Sequence, residues 1–304
     1  QPGKPKQGEI QAIKDLTQQA INAGFFNIDI DMSTLVDLEK PTEKEQQQGN
    51  IKYSVALTEF IRSIEPDNIT ISLGGEIGHI GGKNSTLEDF QAYIEGFNQK
   101  LDSSLTGMSK ISVATGTHHG GIVLEDGSLA DVPVDFQVLK NISQACREHN
   151  IGGAVQHGAS TLPDQYFAQF PKAQALEVHL ATGFQNIIMD HPAFPKDLLK
   201  KIYNWLDQNK QDERKEDQTD EQFHYKLRKK AWGHFKEQTW SIPEKNKSQI
   251  RQSLTKRFEF MFEQLNVVNT KALAKKWITP PQIHKTPQDF SPPQKTKSVK
   301  GLAD

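Results

Sequence analysis

Five short apolar segments of this chain each deliver, at their C-terminal ends, polar residues able to bind a metal or carry a proton. They occupy residues 25–33, 69–82, 110–121, 152–161 and 176–182. Short apolar runs of this kind are typical of buried parallel strands. Because the polar groups follow the C-terminal end of each run, the pattern predicts a (β/α)8 TIM barrel, whose functional site lies at that end of the strands.

Helical patterns separate the predicted strands, which are expected over residues 25–31, 68–73, 111–114, 153–156 and 176–181. Apolar residues recur at helical spacing over residues 10–22, 51–64, 85–101, 135–149, 163–170, 184–189 and 196–208. The polar residues 37–49 predict a loop, and Ser85 and Glu88 have the spacing of a capping box. Pro163 suits the first position of a helix. Alternation of helix and strand predicts an α/β fold with a parallel sheet.

Five strands are too few to close a barrel of eight. Residues 1–208 are therefore predicted to carry about strands 4–8, and the first three strands are expected upstream. Helical patterns over residues 221–240 and 245–265 predict a helical extension, residues 209–278, that packs on the barrel or on a partner subunit. Residues 279–304 are rich in proline and lysine and predict a disordered tail.

The composition excludes several classes of function. The net charge is -2, so no bulk positive charge attracts nucleic acid. No run approaches the ~20 apolar residues that a membrane helix needs. Cys146 is the single cysteine, and one thiol makes neither an internal disulfide nor a thiolate zinc site. These features predict a cytoplasmic protein that binds neither nucleic acid nor membrane.

Histidines after two neighbouring strands are the leading candidates for metal ligands. His119 follows the third predicted strand and His157 the fourth, and imidazole nitrogen is a common zinc donor. The alternative is that both histidines are structural. Glu76 is a candidate site carboxylate or else a surface or cap residue. Asp29 faces the same side as Asp31 by strand alternation, so either it joins a polar network or the predicted register is off by one.

A second group of candidates has the chemistry of a phosphate pocket. The segment Gly158-Ala159-Ser160 joins a strand to a helix, where backbone N–H groups and a hydroxyl can face an anion. Asp31 and Ser33 are candidates for substrate contact, with loop capping as the alternative. His179 is a candidate for a position facing the site, with a core position as the alternative.

Four motifs occur in order along the chain. They are Asp31-Met32-Ser33, Gly75-Glu76-Ile77-Gly78 with Gly81-Gly82, Gly116-Thr117-His118-His119-Gly120 and His157-Gly158-Ala159-Ser160. This set resembles the motifs of the class II ketose-bisphosphate aldolases, the zinc-dependent fructose- and tagatose-bisphosphate aldolases. The resemblance covers residues 12–190.

The resemblance implies a (β/α)8 enzyme that cleaves a ketose bisphosphate to dihydroxyacetone phosphate and an aldehyde. In the family, Zn²⁺ binds three histidines, polarises the ketone and stabilises the enediolate. By motif match His119 is the second ligand and His157 the third; the first lies in an Asp-His pair, expected upstream, whose Asp carries the proton. The resemblance also implies a set of substrate-binding residues, by motif match or by position next to a match. They are Asp31, Ser33, Gly120, Gly158, Ala159, Ser160 and Thr182. The family also implies a homo-oligomer, a dimer or tetramer, acting on a phosphorylated sugar.

Two positions depart from the family pattern. Lys83 and Asn84 stand where the family has an acidic loop with a glutamate base, so Glu76 becomes the candidate catalytic carboxylate. His179 stands where the family has a substrate-binding asparagine. It therefore either changes how the substrate is held or adds a metal ligand.

Two other functions stay open at this point. One is a non-catalytic sugar-phosphate-binding or accessory barrel subunit, favoured by the departures at Lys83 and His179, and the other is a different metal-dependent barrel lyase or hydrolase. The histidines His119 and His157 favour the aldolase. Because a five-stranded remnant has two open edges and one zinc ligand is expected upstream, residues 1–304 alone are predicted to fold poorly and to lack aldolase activity.

Overall fold

The computed structural model describes residues 5–6, 8–78, 83–118, 120–280 and 286. Within these residues five strands form one sheet in the order β1-β2-β3-β4-β5, and every neighbouring pair is parallel. The strands are β1 (Asn27–Ile30), β2 (Ser72–Glu76), β3 (Lys110–Val113), β4 (Ala154–Gln156) and β5 (Glu177–Val178). Their spatial order equals their chain order, which is the arrangement in one part of a (β/α)8 barrel. The predicted parallel half-barrel is confirmed, and its numbering as strands 4–8 stays a prediction.

Helices alternate with the strands and then continue into a helical C-terminal part. In the first part they are α1 (Glu9–Asn22), α2 (Glu43–Gln46), α3 (Gln48–Ile64), α4 (Leu87–Lys100), α5 (Phe136–Glu148), α6 (Gln169–Lys172), α7 (Thr182–Met189) and α8 (Lys196–Asn209). In the second they are α9 (Asp220–Leu227), α10 (Ala231–His234), α11 (Lys236–Trp240), α12 (Glu244–Gln264) and α13 (Lys271–Trp277). None of these helices combines the length and the apolar character that crossing a membrane requires.

The main hydrophobic core lies between the sheet and the helices that cover it. Leu73, Ile111 and Val113 on the strands are fully buried, as are Phe90 and Phe97 on α4. The three strand side chains point to the same face of the sheet, because successive strand residues point to opposite sides. Helix α4 packs on this face. The opposite face of the sheet is therefore left for polar side chains, and it carries the candidate site.

The second strand begins and ends later than predicted, at Ser72–Glu76 rather than at 68–73. The strand continues through two glycines, at positions where the neighbouring side chains leave no room for a Cβ atom. A Cβ atom on Gly74 would lie 2.3 Å from Oδ1 of Asp29, and one on Gly75 would lie 2.6 Å from Oη of Tyr93. Glu76 is consequently the last residue of the strand, and its side chain is held inside the half-barrel.

The prediction of a loop over residues 37–49 is wrong in its second half, which forms α2 and the start of α3. The polar residues there are buried because they bond to the end of β2. Nε2 of Gln47 donates to the carbonyl of Ile77 at 2.9 Å, and Nδ2 of Asn50 donates to the carbonyl of Glu76 at 2.7 Å. The polarity of this segment predicted that it is exposed. Its side-chain amides are instead buried, because carbonyl groups from a distant part of the chain accept their hydrogen bonds.

Three local expectations near helix starts also differ from the structure. The capping box before α4 uses Thr86 and Asp89, because the hydroxyl of Ser85 instead accepts the backbone N–H of Ala114. Pro163 precedes a short 3-10 helix rather than opening an α-helix. The last strand is only two residues long, so His179 lies beyond it.

The C-terminal part is helical, as predicted, but residues 221–240 do not form one helix. The chain turns at a short 3-10 segment that begins at Arg228, because the buried guanidinium of Arg228 reaches Asp190 and Asn186. This tertiary contact outweighs local helix propensity. The expected packing on the barrel is confirmed for α12, whose Phe258 ring stacks on Phe184. The boundaries at 208 and 278 stay predictions, and the tail prediction lies outside the described residues except for 279–280 and 286.

Candidate active site

A buried lysine organises the polar face of the half-barrel. The Lys110 side chain is 1 % exposed, and its Nζ lies 2.6 Å from Oδ1 of Asn27, 3.1 Å from Oδ1 of Asp29 and 2.7 Å from Oε2 of Glu177. Because a buried ammonium is costly without partners, these three oxygens explain its position. Asp29 thus joins a polar network, which was one of the two sequence-based alternatives.

His179 stands between the two carboxylates that Lys110 holds. Nε2 of His179 lies 2.9 Å from Oε2 of Glu177, and Nδ1 lies 3.4 Å from Oδ2 of Asp29. The hydrogen bond from His179 is the largest cause that lowers the pKa of Glu177 to about 2, and Lys110 adds to it. A charged carboxylate that is hydrogen-bonded to one ring nitrogen orients the imidazole and makes its other nitrogen a better metal donor.

His157 lies directly beside His179, with its ring stacked at 4.7 Å between centroids and 27° between planes. Nε2 of His157 lies 3.1 Å from Oγ of Ser112, and Nδ1 lies 3.5 Å from Oε2 of Glu76. These contacts place His157 on the polar face of the sheet, as the sequence predicted. His119, the other predicted ligand, lies outside the described residues.

Asp29, His157 and His179 together form a possible metal site. Each offers one ligand atom, and these three atoms lie within 4.8 Å of one another. Two imidazole nitrogens and one carboxylate oxygen are donors of the kind found in catalytic zinc sites, which keep a fourth position open. The residues therefore fit the metal that the motifs imply. Because an imidazole lone pair lies in the ring plane, the two stacked rings must tilt toward each other to share one ion.

Glu76 is the buried carboxyl group of this face, and only 4 % of the residue is exposed. Burial raises the pKa of Glu76 to about 9, and the negative charges of Asp31 and Asp29 add to the rise. The carboxyl group is therefore protonated at neutral pH in the absence of a cation. A divalent cation held at His157 would favour the ionised form by direct attraction.

The structure shows local contacts for Asp31 and Ser33. Oδ1 of Asp31 accepts the backbone N–H of Ser33 at 2.9 Å and its hydroxyl at 2.7 Å. This is the loop-capping arrangement that the sequence left as an alternative. The carboxylate of Asp31 also acts on Glu76 electrostatically, so it lies near the site. Contact between these residues and a substrate stays a prediction.

The predicted phosphate-binding residues converge beyond the ends of β4 and β5. Oγ of Ser160 accepts the backbone N–H of Ala181 at 2.7 Å. Thr182 is the first residue of α7, and a Cβ atom on Gly120 would lie 3.8 Å from its side chain. Gly158 has a φ of 69°, which favours glycine, and Ala159 is fully buried. The first N–H groups of a helix lack intrahelical partners, so this junction can accept an anion.

Two members of the site were not found in the sequence, namely Lys110 and Glu177. Both lie at the N-terminal ends of their strands, whereas the sequence analysis searched the C-terminal ends. A weak signal was present in the first predicted strand, residues 25–31, where Asn27, Asp29 and Asp31 alternate with apolar residues. Polar residues on one face of a strand that is expected to be buried call for polar partners from neighbouring strands.

Comparison with known proteins bears directly on this site. The family model described as Fructose-bisphosphate aldolase class-II matches residues 11–241. The chain belongs to this family. The match includes every candidate site residue and also α9, so the class II aldolase resemblance of the motifs is confirmed and extends beyond residue 190. Among curated proteins, none is similar enough in sequence to count as a match.

Three solved structures are similar to this chain. A provisionally named fructose-1,6-biphosphate aldolase from Coccidioides immitis shares 16% identity, with a TM-score of 0.41 over 76% of this chain and 68% of that chain. The YdjI aldolase from Escherichia coli K12 shares 15% identity, with a TM-score of 0.36 over 73% and 63%. A probable tagatose 6 phosphate kinase from Sinorhizobium meliloti 1021 shares 12% identity, with a TM-score of 0.52 over 87% and 76%. The last similarity shows a shared fold and nothing about activity.

Proposed function

We propose that this class II aldolase family member catalyses metal-dependent aldol cleavage and condensation of a phosphorylated ketose, with dihydroxyacetone phosphate as one product. The convergence of Asp29, His157 and His179 on the polar face of the half-barrel carries the proposal. Family membership supports the reaction type. The metal is proposed to be Zn²⁺, because two imidazoles and a carboxylate suit it.

The bound metal would supply a Lewis acid for the carbonyl oxygen of the ketose. The chain's own residues set up this chemistry. Glu177 fixes the ring of His179, Ser112 lies against the ring of His157, and Lys110 holds Asp29 and Glu177 in place. This second layer of contacts reduces the reorganisation needed when an ion binds. The same set of donors argues against the non-catalytic alternative, which has no need for them.

Glu76 is proposed to move the proton in the reaction. Its carboxyl group is buried and lies 3.5 Å from Nδ1 of His157, so it stands beside the proposed metal. Burial keeps this carboxyl protonated, whereas a cation bound at His157 would favour its ionised form, so it can give up and take back a proton as general acid–base catalysis requires. Glu76 thereby takes the place of the glutamate base that the family carries on the loop occupied here by Lys83 and Asn84.

The direct test is to measure cleavage of fructose 1,6-bisphosphate and tagatose 1,6-bisphosphate by following the dihydroxyacetone phosphate released. For the intact natural protein we expect cleavage of at least one substrate, loss of activity after treatment with a zinc chelator, and recovery when Zn²⁺ is added back. Cleavage that persists in the metal-free protein would contradict the proposed mechanism. No cleavage of either substrate by protein that contains zinc would contradict the proposed substrate class.

A separate prediction concerns the phosphate pocket. Replacing Ser160 by Asp puts a carboxylate where the proposed phosphate lies, whereas Ser160→Asn adds a neutral side chain of similar size. Charge repulsion at close range is worth roughly 1–4 kcal/mol, so Ser160→Asp should raise the KM for the bisphosphate about ten- to a hundredfold over Ser160→Asn. The two KM values check this. Equal values would place the phosphate elsewhere.

A further inference from the structure

The loop after β3 forms a small hairpin beside the proposed phosphate pocket. Val123 and Leu129 form an antiparallel bridge, and the N–H of Ala130 donates to the carbonyl of Ile122 at 2.9 Å. The tip closes where the N–H of Gly127 donates to the carbonyl of Leu124 at 2.9 Å. We call residues 120–130 the β3 hairpin, and it begins at Gly120, one of the predicted substrate contacts.

Three side chains of one helix hold this hairpin by its backbone. Thr219, the N-cap of α9, donates through Oγ1 to the carbonyl of Glu125 at 3.2 Å. Nε2 of Gln222 donates to the carbonyl of Val123 at 2.8 Å, and Oη of Tyr225 donates to the carbonyl of Gly120 at 3.1 Å. Positions three residues apart share one face of a helix, so the whole face is turned toward the hairpin.

Helix α9 is itself fixed to α7, the helix that begins at Thr182. Oη of Tyr225 accepts a hydrogen bond from Nδ2 of Asn186 at 2.8 Å. Oδ1 of Asn186 in turn accepts from the buried guanidinium of Arg228 at 2.7 Å, and Arg228 also bonds both carboxylate oxygens of Asp190, at 2.5 and 2.8 Å. The Tyr225 hydroxyl therefore connects Gly120 and α7, the two sides of the proposed phosphate pocket.

We infer that α9 is a latch that holds the β3 hairpin over the phosphate pocket, and that Tyr225 is its principal positioning residue. This inference rests on the proposed function, because the pocket it completes is the one proposed for the substrate phosphate. Gly120 adopts a φ of 75°, and its carbonyl accepts a hydrogen bond from Tyr225. This contact therefore helps to set the orientation of the peptide groups on either side of Gly120. The C-terminal helical part thus takes part in substrate binding as well as in packing.

The test compares two variants that each remove one hydrogen bond from α9 to the hairpin; Tyr225→Phe also removes the bond that Asn186 donates to the hydroxyl. Tyr225→Phe removes the hydroxyl and leaves the ring. Gln222→Glu keeps the oxygen that accepts the Thr219 N–H in the capping box and removes the donor to Val123. Loss of one such hydrogen bond should raise the KM for the bisphosphate about three- to tenfold, with kcat within about twofold and the zinc content unchanged. Tyr53→Phe, which removes a hydroxyl from α3, is the matched control and should leave KM unchanged.

Hydrogen–deuterium exchange of the β3 hairpin separates this inference from the proposed function. Exchange at residues 120–130 should accelerate in Tyr225→Phe and in Gln222→Glu and not in Tyr53→Phe, because the hairpin opens more often when a latch bond is missing. Unchanged exchange in both variants would overturn the latch. Faster exchange with an unchanged KM would overturn its role in substrate binding. Absence of cleavage by the wild-type protein would contradict the proposed function, while the exchange result would still decide whether α9 holds the hairpin.

Discussion

Replacement of both His157 and His179 by alanine is expected to remove the bound metal and to lower aldol cleavage on the order of 10³-fold or more. Lewis-acid stabilisation by a metal contributes several kcal/mol to the transition state, and each 1.36 kcal/mol is a tenfold change in rate. With both imidazoles gone, Asp29 would be the sole remaining donor of the three-residue set. Metal analysis of the purified variant and its kcat for the bisphosphate substrate give the two measurements.

A histidine outside the site provides the control. His234 stacks on Trp205 in the helical C-terminal part, so His234→Ala should retain both metal and activity. Retention of a full complement of zinc by the double variant would show that the metal site lies elsewhere in the protein.

The single variant His179→Asn tests the assignment of His179 as a metal ligand against a role in holding the substrate. It restores the asparagine that the family resemblance leads us to expect at this position. If His179 is a metal ligand, zinc affinity should fall in this variant. If it only holds the substrate, zinc content should stay constant and KM should change.

Replacing Lys110 by methionine is expected to reduce the free energy of unfolding by about 3 kcal/mol. Removing one member of a buried ion pair costs about 3–5 kcal/mol, because the remaining charge is left without compensation. The lower end applies here, since the side chains of Asp29 and Glu177 are 30% and 31% exposed and water can partly solvate them. Urea unfolding at neutral pH followed by circular dichroism measures the change.

A lysine on the surface makes the matched control for this experiment. Nζ of Lys83 lies 3.6 Å from Oδ1 of Asp89, with half of the Lys83 side chain in solvent. Because the Lys83 ammonium is half in solvent and the buried Asp89 keeps two hydrogen bonds from Thr86, the pair should contribute about 0–1 kcal/mol, as exposed pairs do, and Lys83→Met should change the free energy of unfolding by less than about 1 kcal/mol. Equal destabilisation by the two variants would contradict the central role assigned to Lys110. We also expect Lys110→Met to weaken zinc binding about 10- to 100-fold, because Asp29 and Glu177 lose their common anchor.

Much of the architecture could be predicted from the sequence because its signals are local. Apolar runs that end in polar residues, separated by helical patterns, predicted a parallel sheet with its strands in chain order, and the sheet confirms this. The family resemblance rested on four motifs that follow strands. Placing His157 on the polar face also needed only local information, because strand periodicity and strand direction determine which face a side chain occupies and at which end.

The polar network, the extent of β2 and the latch required the three-dimensional structure. Lys110 contacts partners 83 and 67 residues away in the chain. The alternation of residues within one strand carries no information about such pairs. The polar residues Gln47 and Asn50 are buried because carbonyls at the end of β2 accept their hydrogen bonds. Tyr225 likewise meets Gly120 across 105 residues. A pattern of apolar and polar residues shows which surfaces must leave water, whereas the partners of a buried polar group depend on the packing of distant segments.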